Sequence, residues 1–332
     1  MTEKTIIEED LKGLELEIDA AVDRLFVDLY QGPYDLRLGR QSLHWGSAQF
    51  FNPTDPFPEV LLAEPWRPRR GVNAARATVP FGVMNDLVTV AAIDDGLHHA
   101  SVASRLRVNT RGVDLAISGA WRGDTDAGQV GLDLRGTTLV GWWLEAAHFP
   151  GPDAHTELVV GIDYSLPVLD RLVVLAQYYR HGAGATHPDR YQRALAPAGV
   201  QLPRCDGPLG SLFGPADPDP FARFTLARDY LLLGARAEID PDVAVSAFLL
   251  QNLNDGTALG VPTLSYLVSA ALDLSLSAQL PLRTWGEGGE LRPRPGDLRR
   301  EHALPPGGET LVLDLSGLSP DAVVTFWARL SF

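Results

Sequence analysis

Apolar and polar residues alternate with a period of two along most of this chain, from residue 23 to the end. In 156–166, Leu158, Val160, Ile162, Tyr164 and Leu166 share one side; Glu157, Gly161, Asp163 and Ser165 take the other, with Val159. In 127–136, Val130, Leu132 and Leu134 oppose Gln129, Gly131, Asp133 and Arg135. Arg105, Arg107 and Asn109 likewise oppose Leu106 and Val108, while Leu115, Ile117 and Trp121 oppose Asp114, Ser118 and Arg122. Successive strand side chains point to opposite faces, so this period predicts β-strands. Turn residues divide the pattern into strands near 23–31, 34–44, 71–82, 86–95, 100–112, 113–124, 127–136 and 137–148. The series continues near 156–166, 169–181, 223–240, 242–254, 262–274, 275–286 and 320–332. No long 3.6-residue period competes, and an all-β chain is expected.

The expected connections alternate in length. Short turns fall at Gly32-Pro33, Gly82–Asn85, Arg111-Gly112, Gly136, Pro167–Asp170, Asp240–Asp242 and Asp273–Ser275. Longer or more polar links fall at 45–70, 95–100, 124–127, 149–155, 182–222, 255–261 and 287–319. In an up-and-down meander this places the long loops at one end, an asymmetry typical of outer-membrane barrels. The last segment sets Val324, Phe326, Ala328, Leu330 and Phe332 against Thr325, Trp327, Arg329 and Ser331. It resembles the C-terminal strand of a bacterial outer-membrane β-barrel, in which a terminal aromatic residue, here Phe332, serves as the assembly signal. The fifteen strands counted are one short of an even number, and single-chain bacterial barrels have even numbers. Two expectations follow: residues 11–21 supply or border the sixteenth, or that strand was lost with a removed signal. The domain reading is an N-terminal segment 1–22, a truncated or partial first strand, and a barrel over 23–332.

The segment 34–58 carries the most distinctive motif: Leu38-Gly39-Arg40-Gln41, then Trp45-Gly46, then Asn52-Pro53-Thr54-Asp55. With the preceding hairpin containing Asp28 and Tyr30, it resembles a bacterial outer-membrane porin-like family, in which such a strand rises into a long loop. The resemblance covers 23–58 specifically, and the rest through strand rhythm and the terminal Phe. It implies a single transmembrane antiparallel up-and-down β-barrel of about 16 strands with long external loops. Gly39 is expected at a bulge or close backbone approach. Arg40 and Gln41 are candidates to pair with a neighbouring carboxylate such as Asp28. Asn52, Thr54 and Asp55 lie in a candidate constriction loop; a stiff surface turn is the alternative, since these residue types favour turns.

Composition narrows the class. Apolar residues make up 45% of the chain, and the mean hydropathy of -0.02 suits a barrel and a soluble protein alike. No apolar run approaches the roughly 18–20 residues of a membrane-spanning helix. A formal charge of -14 argues against nucleic-acid binding, which needs clustered Lys and Arg. Cys205 stands alone, which excludes an intrachain disulfide and a thiolate metal cluster. The opening residues have no apolar core like that of a secretory signal, which conflicts with an exported barrel; the alternatives are a removed signal, a truncated start, or a chain that is not such a barrel.

The inward polar face nominates Arg37, Arg105, Arg107, Arg122, Asp133, Arg135, Glu145, Asp163 and Arg329 as pore-lining, with mutually neutralising wall pairs as the plainer reading. Tyr30, Trp45, Phe81, Trp121, Trp142, Tyr164, Tyr178, Phe248, Trp285 and Phe332 resemble interfacial girdles. Histidines 44, 98, 99, 148 and 181 fall at outer strand ends without a visible ligand set, and Asp124, Asp126 and Asn254-Asp255 read as turn residues. No catalytic, metal or cofactor site is assigned. The functional expectation is a passive channel for small hydrophilic solutes in the Gram-negative outer membrane. Its expected partners are the lipid bilayer and lipopolysaccharide, the outer-membrane assembly machinery and those solutes; a homo-oligomer is compatible with this. The alternatives are an outer-membrane barrel enzyme such as a lipid hydrolase, and a soluble β-rich protein binding ligand or carbohydrate through 182–222.

Overall fold

A computed structural model describes residues 3–6, 17–20, 24–57, 71–93, 99–123, 126–168, 172–190, 225–269, 272–285, 290–291, 299–302, 311–314 and 323–330. β1 (Glu3–Ile6) and β2 (Glu17–Ala20) pair only with each other. The main sheet starts with β3 (Leu25–Gln31), β4 (Tyr34–Gln41), β5 (Val72–Pro80), β6 (Asp86–Ile93), β7 (Ala100–Thr110) and β8 (Val113–Arg122). It continues through β9 (Ala127–Thr137), β10 (Gly141–Phe149), β11 (His155–Leu166), β12 (Leu172–Arg180), β13 (Asp229–Asp240) and β14 (Val243–Asn252). β15 (Thr257–Ser269) and β16 (Leu272–Arg283) follow. β17 (Arg299–His302) pairs with β18 (Leu311–Asp314) apart from the sheet, and β19 (Val323–Leu330) joins it beside β16.

Among the described residues the result is one 15-stranded, all-antiparallel sheet in which consecutive strands from β3 to β16 pair with one another. Among the described residues, helix is limited to one 3-10 turn at Pro188–Arg190. Connections at one end are the short turns 32–33, 81–85, 111–112, 138–140, 167–171, 241–242 and 270–271. The other end carries 42–71, 94–99, 123–126, 150–154, 181–228, 253–256 and 284–322. The expected asymmetry is therefore present.

Three expectations need correction. Of the segment 11–21, the described residues 17–20 do not extend the sheet: they are β2, paired with β1. β15 begins at Thr257, inside the stretch read as a loop at 255–261, because the connection before it is a compact turn. There Asp255 accepts hydrogen bonds from the Thr257 amide (2.8 Å) and hydroxyl (2.6 Å), and Gly256 takes φ +74°. The next connection then lies between Ser269 and Leu272, and Asp273–Ser275 lies inside β16.

Polarity is inverted relative to a water-soluble sheet. One face exposes Ile117 (52%), Val160 (43%) and Ile162 (50%), while the other buries Gln129, Asp133, Glu145 and Gln177 to 6% or less. Leu132 and Asp133, neighbours on β9, show the contrast directly, at 36% and 6%. A shallow apolar groove of ≈ 640 Å³, lined by Leu106, Ile117, Val130 and Leu132 among others, lies on the exposed face.

The polar face is also concave. Gln49 donates its amide to Gln177 Oε1 at 2.8 Å, bringing the 42–57 loop onto β12. Gln49 is eight residues beyond the end of β4, a reach of at most about 28 Å when fully extended. Eight inter-strand steps on a flat sheet span about 38 Å. The Gln177 side chain covers only part of the difference, and the loop is folded back at Gly46 (φ +89°). The sheet curls to bring β4 and β12 within reach.

Candidate functional site

The concave face is organised by the loop at 42–57. On one flank Leu43, Trp45 and Phe57 pack with Val72, Ala74, Val90, Ala92 and Ala103, small or branched residues on the inner face of β5–β7. Trp45 and Phe57 meet edge to face, their ring centroids 6.3 Å apart. On the other flank the loop reaches β12 and β13, where the Phe51 ring stacks on Tyr179 at 4.4 Å and tilts against Tyr230 at 5.7 Å. Apolar anchors thus hold both ends of a strap laid across the concavity.

Between the anchors, Glu145 fastens the strap. Its Oε1 accepts the Ser47 and Ala48 amides at 2.7 and 2.6 Å. Its Oε2 accepts the Thr54 hydroxyl at 2.7 Å and the Thr54 amide at 3.3 Å. Four donors occupy the acceptor sites of a fully buried carboxyl group, the condition under which burial of a polar group is tolerated. Gly46 is required here: a Cβ would stand 2.6 Å from Glu145 Oε1, and the backbone is left-handed. Asp133 receives the Ser47 hydroxyl, and Gln129 Nε2 donates to the Pro53 carbonyl at 2.6 Å. Asp55 closes the turn by accepting the Phe57 amide at 3.0 Å. Asn52, Thr54 and Asp55 are all buried against the wall.

The other nominated residues take distinct places. Arg37 makes a bidentate pair with Asp28 (2.6 and 2.8 Å) and lies 3.8 Å over the Phe26 ring. Arg40 does not take Asp28, since register pairs Asp28 with Arg37 and alternation turns Arg40 to the other face. Gln41 is fully buried and donates to the Ala74 carbonyl at 3.0 Å. Gly39 does sit at a close approach, since a Cβ would meet the Leu25 carbonyl at 2.3 Å. Arg107 bonds Asp86, and Arg105 lies 3.7 Å from Asp133. Arg122 and Asp163 are half-buried on the same face, and Arg135 is exposed on it. Arg329 is aligned with Asp273 in the β16–β19 register. Phe332, His98 and Asp124 lie outside the described residues, as do 191–222 of the 182–222 segment.

Two of the aromatic assignments change. Trp45 is buried in the loop and Phe248 packs inside against the Leu250 cluster, so neither belongs to an outward girdle. Trp121, Tyr178 and Trp285 stand at the long-loop end; Trp142, Tyr164 and Tyr266 lie toward the short-turn end. Asn254 and Asp255 are used within their turn: the Asn254 side chain accepts the Arg228 and Asp229 amides, and Asp255 also holds the Glu290 amide.

A second constellation was not foreseen. His155, Glu157 and His181 converge where β11 begins and β12 ends, with one ligand atom from each lying within 4.8 Å of the others. The sequence signal was present: residues 155 and 157, two apart on a strand, share a face. His181 follows Arg180, which pairs with Leu158, so register sets it beside Glu157.

Comparison with known proteins finds no matching family model and no curated protein with significant similarity.

Proposed function

We propose that the chain closes into an outer-membrane β-barrel and acts as a passive channel for small hydrophilic solutes, with the 42–57 loop narrowing its lumen. The observation that carries this reading is the inverted polarity, an apolar face left open while carboxylates and amides are enclosed. In water, an exposed band containing Ile117, Val130, Leu132, Val160, Ile162 and Leu276 is a liability; against lipid it is the favourable arrangement. Supporting features are the strand lengths, from 7 residues in β3 to 13 in β15, which bracket the roughly 9–11 a tilted strand needs. The two sets of outward aromatic residues fit interfacial belts. The loop's fastening to the inner wall fits a fixed constriction.

The mechanism needs no turnover. Solute diffuses through enclosed water, and the wall pairs Asp28–Arg37 and Asp86–Arg107 set a local field that biases ion passage. The loop sets the cross-section because Glu145 prevents it from swinging into or out of the lumen.

The test combines two measurements on the refolded full chain. Wild type inserted in a planar bilayer gives discrete conductance steps. Ile162→Arg costs about 2–4 kcal/mol of folding stability in a bilayer, against less than about 0.5 kcal/mol at a water-exposed surface site. A monodisperse detergent-free protein with a neutral Ile162→Arg substitution would sink the membrane reading; insertion without conductance would sink the channel.

A further inference from the structure

We propose that His155, Glu157 and His181 form a binding site for a divalent transition-metal ion such as Zn²⁺. His155 Nε2 lies 3.6 Å and His181 Nε2 3.8 Å from the same Glu157 oxygen, Oε1. Both separations exceed an ordinary N–H···O bond of about 2.7–3.2 Å. They approach the edge of a tetrahedron around zinc: legs of about 2.0–2.1 Å imply donor atoms about 3.4 Å apart. A small inward movement of either ring closes the set.

The proton inventory points the same way. His155 Nδ1 is 3.0 Å from the Asp153 carbonyl oxygen. A carbonyl can only accept, so Nδ1 carries the hydrogen and Nε2 is the ring nitrogen turned toward the carboxylate. A metal ion between the two takes imidazole and carboxylate as ligands together. This is also the arrangement in which metal-bound histidines are held, with the far ring nitrogen donating to a carbonyl. His181 Nδ1 is similarly engaged with the Thr225 hydroxyl at 3.1 Å, and Glu157 Oε2 receives the Tyr179 hydroxyl at 3.0 Å. Stacking of Phe149 on His155 and of Tyr179 beside His181 fixes both rings. Glu157 is buried while the two imidazoles keep about a fifth of their surface, leaving a route for an ion. Two imidazoles with one carboxylate select zinc, cobalt, nickel or copper over calcium or magnesium.

The experiment uses the refolded full chain, stripped with chelator and titrated with Co²⁺, then with Zn²⁺ as competitor. The expected result is one equivalent with a visible Co²⁺ spectrum, displaced by Zn²⁺ and abolished in the double variant H155Q/H181Q. Tyr179→Phe, which removes a bond to the ligand carboxylate, weakens binding by at least about tenfold. Because the double variant can misfold, wild type is also modified with diethyl pyrocarbonate, with and without Zn²⁺. Protection of His155 and His181, with His99 and His148 still reactive, supports the site. Equal reactivity with and without the ion overturns it, as does full Co²⁺ binding by a folded H155Q/H181Q; either leaves a bare imidazole–carboxylate pair. Neither readout depends on conductance, so it stands or fails apart from the channel reading.

Discussion

Two stretches of the same concave wall are built from the same residue types and behave differently. Toward the short-turn end, Asp28 and Arg37 pair with roughly a quarter of each side chain exposed, and Arg107 pairs with Asp86 at 42% and 19%. Beneath the loop, Glu145 and Gln177 are at 0% and 1%. Strand alternation puts both sets on the inner face, but a loop from elsewhere in the chain decides which set meets water. The carboxylate of Glu145 is a structural fastener with four donors, whereas that of Asp28 is a solvated charge with one guanidinium partner. Inward-facing and solvent-lining are therefore different properties of this curled sheet.

The sharpest way to break this contrast is Glu145→Ala. It orphans several buried donors together, each costing about 1–3 kcal/mol, so stability falls by at least about 3 kcal/mol. The 42–57 loop becomes a protease target, and under the channel reading unitary conductance rises. Unchanged proteolysis would show that the apolar anchors at Trp45 and Phe51 suffice alone. Gly46→Ala attacks the same contact from the loop side. With φ at +89° and no room for a Cβ, it costs about 1–3 kcal/mol, measured by chemical denaturation in detergent.

In the wetter stretch, Arg37→Gln leaves unfolding nearly unaltered, since water already solvates both partners. Under the channel reading, reversal potential in a salt gradient shifts toward cations instead, and the shift shrinks at high salt as the Debye length contracts. A large stability loss would place Asp28 in the dry class with Glu145.

The smallest effect is expected at Glu290. Burial pushes its carboxyl above the usual 4.5, opposed by the bond it accepts from Tyr230. A raised folded value means that the protonated form is favoured in the fold. Its contribution is complete below the unfolded pKa and fades as pH rises through the folded one. Glu290→Gln should flatten the fall in melting temperature that sets in as pH rises above the ordinary carboxyl value of 4.5. An unaltered pH profile would remove Glu290 as its source.

Much of the sheet was legible because each strand's pattern is local. The alternation Gln129 to Arg135 and Leu158 to Leu166 reads directly as β9 and β11. Turn chemistry was harder: Asp273–Ser275 looks like a turn, yet Asp255-Gly256 closes a tighter one and shifts the following pair. The loop clamp was half legible. Asn52, Thr54 and Asp55 announced a structured loop, but nothing near Glu145 in sequence identifies Ser47 and Thr54 as its donors. Those contacts exist only because the sheet curls, and curvature leaves no signature in a period of two. The His155–Glu157–His181 cluster needed two facts held together, a shared face and a hairpin register.

Fifteen is odd, and in an up-and-down meander that fixes the heading of the outermost strands. β3 and β19 travel in the same direction along the wall. Zipping them to one another makes a parallel seam, the lone exception in an otherwise alternating lattice. A keystone strand laid between them restores the alternation on both sides at once, and only one heading will do so. Whatever seals this wall, its polarity is already prescribed.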